Sequence, residues 1–268
     1  MSQDQVLAER RSEWLFLGLA ALLFASSAIL TTLWCAAMAA MGGMPMPGGW
    51  TLSMAWMRMP GQTWTGATMT YLGMWAVMMV AMMLPSLVPM LRRYRDAVGS
   101  RPPNRLGRLT LLVGTAYFLV WMCFGLASFP LGIGLATAVM RMPAMARGVP
   151  IAVGVAVLLA GILQWTPWKA RHLACCQAQP VRGGSLPPDA GTAWRHGLHL
   201  GLHCSCCCAG LMVILLVVGV MDLRVMAVVA LAITIERLPA TGHRVARAIG
   251  AVLMAAGLYL TVRASGCG

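Results

Sequence analysis

Long apolar runs with few charged side chains most limit how this chain can fold. Of its residues, 59% are hydrophobic and 10% are charged, and the mean hydropathy is +0.76. A segment inside lipid must pair its own backbone amides and carbonyls, because no water is available there, and a helix does so within one segment. We therefore expect an all-α, polytopic transmembrane helical bundle of about six or seven spans, in which the lipid bilayer is a partner.

Seven apolar runs are candidate spans of a single integral membrane domain that covers residues 1–268. The break around Asp222 leaves the sixth run short, so it is either a full span or half of a re-entrant hairpin. The segment 177–193 contains several prolines and glycines and is predicted to be a loop. The seven runs cover residues 14–40, 70–91, 109–135, 149–167, 198–220, 223–237 and 245–263.

The basic residues predict an orientation. If the N-terminus is cytoplasmic, fifteen of the Lys and Arg residues fall in cytoplasmic segments and five fall on the other side. This bias follows the positive-inside rule and predicts a membrane protein with a cytoplasmic N-terminus and a cytoplasmic loop at 177–193. Topology accounts for the net charge of +13, so we expect no nucleic-acid partner.

Potential metal ligands are concentrated in His196–Cys208, which contains three of the five histidines and four of the nine cysteines. In a helix, His196, His199, His203 and Cys207 would follow one stripe, with Cys204 and Cys208 as an adjacent i, i+4 pair. Imidazole and thiolate groups suit a soft or borderline metal ion. The alternative is that small Cys and Gly residues let this helix pack closely against its neighbours.

A second group of such side chains follows the fourth run. His172, Cys175 and Cys176 are spaced i, i+3, i+4, and would lie on one helical face near the cytoplasmic level of His196–Cys208. Two groups that neighbouring spans bring to one level would form one site.

Methionines recur along the second span. Met74, Met78 and Met82 are spaced by four residues, and Met79 and Met83 form a second pair beside them. Thioethers bind Cu(I), but methionine also fills irregular helix interfaces, so the spacing allows either role. The extramembrane segment Met41–Pro47, which Met54, Met57 and Met59 follow, either captures Cu(I) or lies among the lipid headgroups.

Acidic residues are rare in the last two candidate spans, where Asp222 and Glu236 stand alone. Glu236 precedes Arg237, which suggests an ion pair at a helix end. The alternative is a proton or cation carrier, since a buried carboxylate changes charge with modest changes in its surroundings.

Several motifs together make the chain resemble a family of bacterial predicted metal-binding integral membrane proteins. The family pattern C-x-G-C-C-W-x-L-M matches Cys204, Cys207 and Cys208, with Cys206 in place of the glycine and Ala209 in place of the tryptophan. The family's cysteine after T-P-x-K is displaced here, with His172 and Cys175 as candidates. The other matching segments are Trp75–Pro89, Ala160–Lys169, Gly219–Leu223 and Glu236–Arg237.

Residues and resemblance together suggest a protein that binds a soft transition metal, preferably Cu(I), with Zn(II) as an alternative, in homeostasis, insertion or transport. A metallochaperone or a membrane metalloenzyme would be its protein partner, and no catalytic residue is assigned. The rival hypotheses are a membrane thiol oxidoreductase, an accessory subunit of a metalloenzyme, and a purely structural bundle. The predicted ligands are Cys204, Cys207, Cys208, Cys175, His172, His203, Met78, Met79, Met82 and Met83.

Overall fold

The computed structural model describes residues 3–58, 61–99, 102–177, 186–237 and 242–266. These residues form eight α-helices, a short antiparallel hairpin and one 3-10 turn at Met54–Trp56. Met59, Cys267 and residues 178–185 of the predicted loop lie outside the described residues. The elements are α1 (Gln3–Ala40), β1 (Met44–Met46), β2 (Trp50–Leu52), α2 (Trp64–Val98), α3 (Pro103–Arg141), α4 (Pro143–Leu163), α5 (Pro167–Gln177), α6 (Ala190–Val218), α7 (Leu223–Glu236) and α8 (Gly242–Gly266).

Six of these helices are long and apolar enough to cross a membrane, namely α1, α2, α3, α4, α6 and α8. The predicted all-α bundle of six or seven spans is therefore confirmed. The other two helices are shorter: α5 has 11 residues and α7 has 14, whereas a span needs about 20. Asp222 caps the N-terminus of α7 by accepting hydrogen bonds from the backbone amides of Arg224 and Val225.

Glycines let two pairs of helices approach closely. In the antiparallel pair α4 and α8, a Cβ added at Gly257 would collide with the Leu158 backbone. In the parallel pair α3 and α6, a Cβ added at Gly201 would lie 3.1 Å from the carbonyl oxygen of Tyr117. Such contacts between small residues are typical of helices that associate in lipid. The second pair brings α3 against the cysteine-rich part of α6.

Different contacts join the helices at the two ends of the bundle. At one end, Arg92 of α2 pairs with Glu13 of α1, and Arg95 donates to the Ser12 hydroxyl at 2.9 Å. At the other end, the β-hairpin rests on the start of α4, where the Trp50 indole donates to the Ala146 carbonyl at 2.9 Å. The cysteine-rich part of α6 lies between these ends.

The close packing of α4 on α8 makes a stability prediction. Gly257→Ala should lower the free energy of unfolding by about 1 to 3 kcal/mol, because the added methyl meets backbone atoms that cannot rotate away. Gly134→Ala in α3 is the matched control, since a Cβ there meets nothing within 4 Å. Denaturant unfolding in detergent measures both variants, and equal stability of the two would contradict the prediction.

Candidate metal centre

Four thiols from two helices meet inside the bundle. α6 contributes Cys204, Cys207 and Cys208, and α5 contributes Cys176, and all four side chains are buried. The Cys207 sulphur lies 3.6 Å from that of Cys208 and 3.8 Å from that of Cys176. The Cys204 side chain is hydrogen-bonded to that of Cys208, so the four sulphurs form a connected group, which we call the thiol cluster.

A guanidinium group contacts three sulphurs of the thiol cluster. Arg237 follows the last turn of α7, and its Nη2 donates to Cys204, to Cys208 at 3.2 Å and to Cys207 at 3.8 Å. Its other terminal nitrogen donates to the Ser86 hydroxyl of α2 at 2.9 Å. The Tyr117 hydroxyl of α3 lies 2.9 Å from the Cys204 sulphur. A fixed positive charge therefore lies beside groups that become negative when they bind a metal ion.

A buried ion pair holds this arrangement in place. The Lys169 ammonium donates to the Glu236 carboxylate at 2.7 Å and to the carbonyl oxygen of Cys207. The Gln164 amide donates to the other carboxylate oxygen at 3.0 Å. One lysine thus connects the end of α7 to the cysteine-bearing turn of α6, which positions Arg237 one residue further along.

The histidines form a separate row. The Nδ1 atoms of His172 and His203 lie 3.0 Å apart, and the Nε2 atoms of His203 and His199 are also 3.0 Å apart. His196 is directed elsewhere, because its ring stacks on Tyr94 with centroids 5.3 Å apart. Of the predicted α6 stripe, His199 and His203 contact each other, whereas His196 contacts α2.

The predicted methionine ligands lie on the buried face of α2. Met78, Met79, Met82 and Met83 precede Ser86 by eight, seven, four and three residues, so they share its helical face. All four side chains are at most 3% exposed. Because Ser86 accepts a hydrogen bond from Arg237, this row of thioethers leads towards the guanidinium beside the thiol cluster.

The structure distinguishes neighbouring candidates that the sequence did not. Cys175 is exposed, while Cys176 is buried against Cys207, and Cys206 is partly exposed. Helical spacing had placed both Cys175 and Cys176 beside His172, and it gave no signal for preferring Cys176. The contacts of Arg237 and Tyr117 with the sulphurs join distant parts of the chain, and local spacing gives no signal for them.

The sulphur atoms around Cys207 have the spacing of thiolates that share one metal ion. Two thiolates bound to one ion at about 2.3 Å lie about 3.8 Å apart at a tetrahedral angle, which matches the sulphur distances around Cys207. Within the described part of the chain, no group of three or more His, Cys, Asp or Glu side chains has the arrangement of a formed metal site. The cluster instead offers thiol pairs beside a guanidinium, and thiolates suit Cu(I).

Removing one partner of the buried ion pair should be costly. Lys169→Met leaves the Glu236 carboxylate without its counter-charge and should lower the free energy of unfolding by about 3 to 5 kcal/mol. The double variant Lys169→Met, Glu236→Leu removes both charges and should lose less. Denaturant unfolding in detergent measures both, and a double variant less stable than Lys169→Met would contradict the prediction.

Comparisons with known proteins identify the family. No curated protein and no solved structure matches the chain. A family model described as copper chaperone (PpoB2) matches residues 72–260, more than two thirds of the chain. The match includes the methionine row, the thiol cluster and Arg237, and it confirms the expected relation to copper. The chain belongs to the copper chaperone family.

Proposed function

We propose that this protein is an integral protein of the bacterial inner membrane that holds Cu(I) as cargo and delivers it to a membrane metalloenzyme or a metallochaperone. Six helices of spanning length and the family match support this proposal. The observation that carries it is the convergence of Cys176, Cys204, Cys207 and Cys208 at one buried point.

Thiolates from the cluster bind the ion in this proposal. Cys207 is the shared ligand, since its sulphur lies within 4 Å of those of both Cys176 and Cys208. A two-coordinate Cu(I) ion uses one such pair, which opens by about 1 Å because a linear ion with bonds of about 2.3 Å needs about 4.6 Å between the sulphurs. A third sulphur takes over a ligand position as the ion moves. Two thiolates and one Cu(I) have a net charge of −1, and the neighbouring Arg237 restores neutrality. Neutrality matters because an unpaired charge inside a membrane protein is costly.

The thioethers of α2 provide a second set of ligands. Met78, Met79, Met82 and Met83 are neutral donors, so each holds Cu(I) more weakly than a thiolate does. A row of weak sites that leads to a stronger site favours net movement of the ion towards the thiols. If the N-terminus is cytoplasmic, the thiol cluster lies in the cytoplasmic half of the membrane, and the methionine row extends from it towards the external face.

The thiol cluster can be tested by a single substitution. Cys207→Ser should strongly weaken Cu(I) binding by the reduced, purified full-length protein, because it removes the sulphur common to the pairs with Cys176 and Cys208 and leaves only Cys204 beside Cys208. Cys123→Ser is the matched control, since Cys123 is exposed and is a free thiol. Elemental analysis with competition against a Cu(I) chelator gives stoichiometry and affinity.

Three outcomes would contradict the proposal. One is a wild-type protein that binds no Cu(I), and another is Cu(I) binding that Cys207→Ser leaves unchanged. The third is stoichiometric binding of Zn(II) with no Cu(I), since zinc takes mixed His and Cys ligands in tetrahedral sites.

The charge of Arg237 should affect affinity. Arg237→Gln should weaken Cu(I) binding about tenfold or more, because a hydrogen bond to a charged group contributes roughly 1.5 to 3 kcal/mol. Arg237→Lys keeps the charge and should recover part of the affinity. Arg263→Gln, an equal charge change at an exposed residue, should leave affinity unchanged. Chelator competition measures all three, and equal affinity of Arg237→Gln and wild type would refute this role.

A further inference from the structure

Two pairs of metal-binding side chains repeat along α5 and α6. His172 faces His203, and four residues later on each helix Cys176 faces Cys207. Four residues are about one helical turn, or about 6 Å along each axis. The two helices therefore carry an imidazole pair and a thiol pair in the same order, one turn apart.

The exposure of the side chains decreases from the histidines to the thiols. His199, at the far side of His203, is exposed, while His172 and His203 are partly buried. Cys176 and Cys207 are each 2% exposed. The row of ring nitrogens from His199 through His203 to His172 thus connects the protein surface with the turn that precedes the buried thiols.

The imidazole pair has the geometry to exchange a proton for a metal ion. A hydrogen bond between two ring nitrogens is a proton shared by two lone pairs, and Cu(I) can occupy the same position between them. The Nδ1 atoms are 3.0 Å apart, and a linear two-coordinate ion with bonds of about 2.0 Å needs about 4 Å. This opening of about 1 Å involves two partly exposed side chains. His203 turns one nitrogen to each neighbour, so the three rings form a row and not a three-ligand cage.

We propose that His172 and His203 form a transfer site through which Cu(I) passes between the surface and the thiol cluster. This role rests on the proposed function, and it assigns the histidines to the movement of the ion and not to its storage. The metal keeps its oxidation state. As the ion moves inward, two Cu–N bonds break and two Cu–S bonds to Cys176 and Cys207 form. One thiol proton takes the place of the ion between the freed Nδ1 atoms, and the other passes through the exposed His199 to water. Outward transfer reverses each of these changes.

The chain offers matched variants for this proposal. His203→Leu removes the nitrogen donor at similar size, and His203→Met replaces it with a thioether that still binds Cu(I). His196→Ala is the control, because that histidine lies on the same helix but stacks on Tyr94 away from the row. Each full-length protein is purified in detergent and reduced. Chelator competition measures the Cu(I) affinity at equilibrium, and stopped-flow absorbance measures transfer to and from a chromophoric Cu(I) chelator.

The expected result separates rate from affinity. His203→Leu should slow transfer in both directions about tenfold or more while its equilibrium affinity stays within about threefold of wild type. His203→Met should recover much of the rate, and His196→Ala should match wild type. A purely structural role of His203 would give slow transfer in the Leu and Met variants alike, which would overturn the proposal.

Two further outcomes would also overturn it. Unchanged transfer in His203→Leu would mean that the ion reaches the thiols by another path. A loss of equilibrium affinity as large as that of Cys207→Ser would make His203 a permanent ligand. Failure of the proposed function is distinguishable, since wild-type protein would then bind no Cu(I), or Cys207→Ser would bind it as tightly as wild type.

Discussion

The buried ion pair between Lys169 and Glu236 is the interaction on which the rest of the site depends. Two charges removed from water are stable when they meet each other and their remaining polar atoms are hydrogen-bonded. Gln164 supplies one such bond and the Cys207 carbonyl supplies another. The pair therefore joins α5, α6 and α7 at the level of the thiols. Because α7 ends at this point, Arg237 is directed into the thiol cluster.

The site combines soft ligands with one guanidinium cation, and in the proposed function this cation balances the charge of a buried cluster that has bound Cu(I). Neutral thiols need no counter-charge, whereas two thiolates around Cu(I) do, and Arg237 supplies it. The histidines would need no such counter-charge, because two neutral imidazoles can bind Cu(I) near the surface without adding negative charge. In the function that we propose for this chain, the thiols would hold the ion and the imidazoles would exchange it.

Local periodicity predicted much of this arrangement and failed at particular residues. Apolar runs predicted the helical bundle, and helical spacing placed Cys204, Cys207 and Cys208 close together. Spacing also suggested that His172 lies near His203, and the two rings are in contact. Spacing could not choose between Cys175 and Cys176. Adjacent residues differ by about 100° around a helix, and which of them is buried depends on the helix that packs against it. The contacts of Arg237 were unpredictable for a similar reason, since they join the end of α7 to α6, 29 to 33 residues earlier, and to Ser86 of α2, 151 residues earlier.

The sequence by itself determined the class of fold and the chemistry that is available. A chain with long apolar runs has to form helices in lipid, and its concentrated Cys, His and Met residues favour a soft metal. Tertiary structure decided which of these residues meet. The crossing of α5 on α6 selects Cys176 and pairs His172 with His203, and the end of α7 brings Arg237 to the sulphurs. These choices depend on helix rotation and close packing between distant segments, which no local pattern encodes.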